Sequence, residues 1–142
     1  MTADDRTETI FGGFDGLTST ISMIGAAVIA GTLRGLGVYA VGLAVGAAWS
    51  MGSGQYLSDP QRRVHLAVVM ALATLAGSIA PAVPFLVGGG TAIDVAAACA
   101  LTLAVGAAIA ELRPGSRAAS YRLTFAVLAV GVILGAAVGL LG

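Results

Sequence analysis

The sequence predicts an all-α integral membrane protein of five transmembrane helices, N-terminus in the cytoplasm and C-terminus outside. Composition, the length of the apolar runs and the placement of the arginines carry that prediction. Of 142 residues, 58 % are apolar and 10 % charged, and the mean hydropathy is +0.97. A soluble domain is roughly 45–50 % apolar and about 25 % charged. A chain this short has too little interior to hide the excess, whereas a bilayer hides it. Crossing about 30 Å of hydrocarbon takes about 20 helical residues, so five spans use about 100 residues and leave short loops.

The first span is expected over 15–32, with an earlier start near Thr7 left open. The others are expected over 36–57, 65–87, 92–110 and 121–141. They are separated by Thr32-Leu33-Arg34-Gly35, by Asp59-Pro60-Gln61-Arg62-Arg63, by Gly88-Gly89-Gly90 and by Glu111-Leu112-Arg113-Pro114-Gly115. Proline lacks a backbone donor and glycine frees the chain, so both end helices. Irregular backbone has no partners in lipid, which places these breaks at the membrane surfaces. The acidic start, MTADDRTETI, lacks the basic region and apolar core of a signal peptide. The first span is therefore expected to stay in the mature protein.

Arg62 and Arg63 follow span two, and Arg113, Arg117 and Arg122 lie between spans four and five, while the opposite side has Arg34 alone. The positive-inside rule then fixes the orientation. Zero net charge and the lack of a basic patch argue against nucleic acid as a partner. The single cysteine, Cys99, excludes an internal disulfide and a multi-cysteine zinc site, and is expected to be a small packed hydrophobe. Arginine without lysine, and heavy use of Ala and Gly, suggest a GC-rich bacterial source and hence a plasma membrane.

Small residues recur every four positions in span two (Gly42, Gly46, Ser50, Gly54, Ser58) and in span five (Gly131, Gly135, Gly139). Such rows let helix backbones approach closely, either within the chain or between subunits. Pro81 and Pro84 are expected to bend or unwind the end of span three.

Polar side chains at membrane depth are costly and are functional candidates by default. Asp15, Ser19, Ser22 and Met23 fall on one helical face. Met51, Gly54, Gln55 and Ser58 follow the same spacing in span two. Carboxylate and hydroxyl oxygens alone suit hard cations, and thioether sulfur shifts the preference toward softer transition metals. A second reading stays open, in which Asp15 is a helix cap and Met51 fills a packing gap. Asp94 reads as the cap of span four, Glu111 as its end beside Arg113, His65 as an interfacial anchor, and Trp49 and Tyr56 as interfacial aromatics. No catalytic triad, dinucleotide fingerprint or P-loop is present, so an enzyme is not expected.

Ile10-Phe11-Gly12-Gly13-Phe14-Asp15-Gly16-Leu17-Thr18-Ser19 resembles the first-helix motif of the vacuolar iron transporter family. Ser50-Met51-Gly52-Ser53-Gly54-Gln55-Tyr56-Leu57-Ser58 resembles its second-helix motif, and Pro81-Ala82-Val83-Pro84-Phe85 its third-helix element. The connection between spans two and three is too short for that family's Glu-rich cytoplasmic insertion, as in its nodulin-like branch. The resemblance implies a homodimer that exports iron(II) or manganese(II) from the cytoplasm in exchange for protons. It also implies an ion path that includes Asp15 and Met51, with no permanently bound cofactor. Gln55 stands where the family motif has Glu, keeping an oxygen but losing a charge and a titratable proton. The competing expectation is a non-transporting membrane subunit or scaffold of a larger assembly.

Overall fold

The computed structural model describes residues 1–141. It is built from α1 (Ala3–Ile29), α2 (Leu36–Ser58), α3 (Val64–Val87), α4 (Thr91–Leu112) and α5 (Arg117–Gly139). All five are long and apolar enough to cross a membrane, and no strand occurs among the described residues.

α1 starts at Ala3, ahead of both Asp15 and the earlier start left open near Thr7, because its first turn is capped. The Thr2 hydroxyl accepts from the Asp5 N–H (3.1 Å) and the Asp5 carboxylate accepts from the Thr2 N–H (2.8 Å). This reciprocal box satisfies two otherwise orphaned donors. Asp15 therefore lies midway along α1 and caps nothing, which corrects the helix-cap reading. α4 is capped by the backbone of Gly90, and Asp94 sits in its first turn, accepting from the Gly89 N–H at 2.8 Å. α3 runs through Pro81 and Pro84 to Val87 without unwinding. Each proline removes one i→i−4 donor, the partner of the Gly77 or the Ala80 carbonyl, and the helix continues past both.

α1 and α3 form the centre. α2 packs on α3 and, more lightly, on α1; α4 touches α3, α5 and α1; α5 touches α1 and α4. Among the described residues the backbone of α2 does not approach that of α4 or α5. The α1–α3 seam is made of glycine. A Cβ on Gly12 would meet the Met70 carbonyl oxygen at 2.6 Å, and one on Gly16 would strike the Thr74 carbonyl. Apolar clusters close the rest: Leu17, Ile109 and Leu128 in one, Ile24, Ala27, Leu36 and Ala98 in another. The outer surface is apolar, with Val38, Trp49, Leu72 and Ile133 exposed. Cys99 is also exposed, on the outside of α4, and is not the packed hydrophobe expected of it. Trp49 is exposed about 13 Å from the end of α2.

Candidate functional site

The end of the bundle that holds the N-terminus is tied together by charge. Asp59, the cap that ends α2, is buried and accepts from the Arg63 Nε–H (2.8 Å), the Arg63 N–H (2.9 Å) and the Gln61 N–H (3.0 Å). These donors, the Arg63 side chain first, hold its carboxyl down at about 2. The same guanidinium reaches Asp4 at 2.6 Å and so joins the start of α1 to the α2–α3 loop. His65 Nε2 lies 3.9 Å from Asp5. In the α4–α5 connection at the same end Glu111 pairs with Arg117 and accepts from the Tyr121 hydroxyl at 2.7 Å, in place of the expected neighbour Arg113.

Beneath the Arg63 clamp, the Gln55 amide donates to the Glu8 carboxylate at 2.7 Å. Glu8 is 9 % exposed. This pair sets the register of α1 against α2. Glu8, Asp15, Ser19 and Ser22 lie within an arc of about 60° on α1. At one end of that stripe Glu8 meets α2; at the other the Ser22 hydroxyl donates to the Gly131 carbonyl of α5 at 2.8 Å. The backbones of α2 and α5 stay apart, and the middle of the stripe forms the floor of the slot between them. Asp15 and Ser19, half-buried, occupy that floor, and Phe11 beside them is 60 % exposed.

Counted from the Glu8–Gln55 pair, Asp15 lies about 10 Å along α1 and Met51 about 6 Å along α2. Met51, also half-buried, is thus level with the gap between the two carboxylates. The structure brings Gln55 to Glu8 and not to Asp15. Met23 lies two turns beyond Asp15, packed against Ile24, Ala27, Leu36 and Ala98. Among the described residues, no three His, Cys, Asp or Glu side chains form a metal-binding group. The donors are strung along the axis of α1.

Glu8 is the residue that the sequence reading missed. Its polar neighbourhood, Asp4-Asp5-Arg6-Thr7-Glu8-Thr9, reads as a tail outside the span. The separation of seven from Glu8 to Asp15 was the available signal, since it repeats a helical face.

No family model, curated protein or solved structure matches the chain.

Proposed function

We propose that the chain is an integral membrane transporter that exports iron(II) or manganese(II) from the cytoplasm in exchange for protons, working as a homodimer in a bacterial plasma membrane. The observation that carries this reading is Asp15: a carboxylate midway along an apolar helix, half-buried, on the face of α1 that opens between α2 and α5. A charge facing lipid at that depth is expensive. A second copy laid over the slot would remove it from lipid and supply a matching stripe, as twofold symmetry requires. A dehydrating divalent ion needs donors that replace its water shell. Glu8, Gln55, Met51, Asp15 and Ser19 offer carboxylate, amide, thioether and hydroxyl donors in that order along the slot, and the sulfur favours softer metals. Asp15 accepts a proton when the metal leaves. Arginines at the Asp59–Arg63 and Arg113–Arg122 connections support a cytoplasmic mouth at the Glu8–Gln55 end.

The rival reading, a scaffold or subunit with no flux, is favoured by one observation. Gln55 spends its amide donor on Glu8, so the mouth carries a neutral pair partner where a second carboxylate would attract metal. Reconstitution separates the two readings. In proteoliposomes loaded with a metal-sensitive dye, wild type is expected to pass manganese(II), Asp15→Asn to lose at least about 90 % of that flux, and Met51→Leu to weaken the softer iron(II) more than magnesium(II). Gln55→Glu should raise flux and steepen its pH dependence. Equal, zero flux in all four proteins, beside a working control transporter, establishes the scaffold.

A further inference from the structure

A second feature, on the opposite flank of α2, is independent of the slot. Between the outer faces of α2 and α3 runs an open groove of about 600 Å³, walled by Val45, Trp49 and Tyr56 on one side and by Val64, Val68 and Leu72 on the other. Its walls are almost wholly apolar. From Val64 to Leu75 on α3, and from Tyr56 to Val45 on α2, it extends about 16 Å. That is about half of a hydrocarbon core of roughly 30 Å, the depth of one leaflet.

The groove ends at the α2–α3 loop, and the loop supplies a cation there. Arg63 is engaged by Asp59 and Asp4. Arg62 is exposed, and no carboxylate lies within 4 Å of it among the described residues. It is held at the mouth by a left-handed backbone (φ 49°), fixed where its N–H donates to the Asp59 carbonyl at 2.9 Å. The nearest acid in sequence, Asp59, is saturated by three donors and turned inward. A one-leaflet apolar channel crowned by one free arginine has the chemistry of a lipid: an acyl chain below, an anionic headgroup above.

We propose that this groove holds an anionic phospholipid of the adjoining leaflet, its acyl chain between α2 and α3 and its headgroup on Arg62. The inference rests on the membrane insertion argued above and not on transport. A second copy of the chain is a weaker occupant. The small-residue row of α2 that would seat a helix points elsewhere, with nothing near Gly42, Gly46 or Gly54.

Trp49 is the only tryptophan in the chain and forms a wall of the groove, so it reports occupancy directly. The full chain is reconstituted in vesicles containing a small fraction of brominated phosphatidylglycerol or, separately, of brominated phosphatidylcholine with the same acyl chains. The anionic lipid is expected to quench Trp49 with about fivefold higher relative affinity than the zwitterionic one. Arg62→Asn tolerates the left-handed backbone and should abolish that preference, while Arg122→Gln, on α5, should preserve it. Equal quenching by the two lipids in wild type, or a preference that survives Arg62→Asn, overturns the proposal and leaves insertion intact. A lack of quenching in fully brominated phosphatidylcholine overturns it differently, by showing that another chain covers the groove or that α2 is not in lipid. Loss of the preference in both variants would show bulk surface charge and not this groove, and also overturns it.

Discussion

Two helices carry the same motif, a small residue every fourth position, and use it in opposite ways. In α5, Gly131, Gly135 and Gly139 are buried against α1: a Cβ on Gly131 would meet Thr18 at 2.9 Å, and one on Gly135 would strike the Ser22 carbonyl. In α2, Gly42, Gly46 and Gly54 face open space, and Ser50 between them is exposed. Alanine does the internal packing of α2 instead, through Ala40, Ala44 and Ala48, with Gly52 against Ala71 on α3. A spacing of four thus licenses close approach but does not name the partner. The α5 row is satisfied inside the chain. The α2 row is left over, and leftover small residues on a lipid-facing helix are suited to a helix from another subunit.

The contrast can be broken by adding bulk. Gly135→Leu forces a side chain into backbone and is expected to cost about 3 kcal/mol or to prevent folding; reversible unfolding in mixed detergent, followed by helicity, measures it. Gly46→Leu adds the same bulk to open space. It should leave the protomer as stable as wild type or up to about 1 kcal/mol more stable, because leucine is the better helix former. The same substitution should reduce the dimer fraction, read by mass measurement in mild detergent. If both substitutions destabilise the protomer alike, the two rows are not different in kind.

A smaller effect sharpens how α5 is held. Ser22→Ala removes the 2.8 Å bond to the Gly131 carbonyl. It should cost about 0.6 kcal/mol, the usual worth of an interhelical hydrogen bond in a membrane. α2, by contrast, is fastened at its end by Asp59. That carboxyl is depressed in the folded chain to about 2 from an ordinary 3.8, so its contribution is complete above the ordinary value and is lost as pH falls through about 2. Amide exchange at Gln61 and Arg63 should therefore accelerate between about pH 4 and pH 2 in wild type. Asp59→Asn should show the accelerated exchange at neutral pH.

The number and order of the helices were legible because runs of about 20 apolar residues between Gly, Pro and Arg breaks have one economical reading. The start of α1 was not, since its first two turns are polar and their partners, Arg63 and Gln55, lie more than forty residues away in sequence. The same distance hid Glu8. Asp15, Ser19 and Ser22 were legible as a stripe by their spacing. That the stripe opens between α2 and α5 depends on their backbones staying apart, which no periodicity encodes. The fate of each glycine row was likewise invisible, because both rows have the same spacing and only tertiary packing tells them apart.

Metal-for-proton exchange along the α1 stripe is measured by following both ions in one preparation. Proteoliposomes carrying a manganese-sensitive dye and a pH dye are given a manganese(II) gradient. Metal is expected to move with protons moving in the opposite direction, both lost in Asp15→Asn while the protein stays folded. Metal flux that persists at wild-type rate in Asp15→Asn, or wild-type protein that moves neither ion, would contradict it.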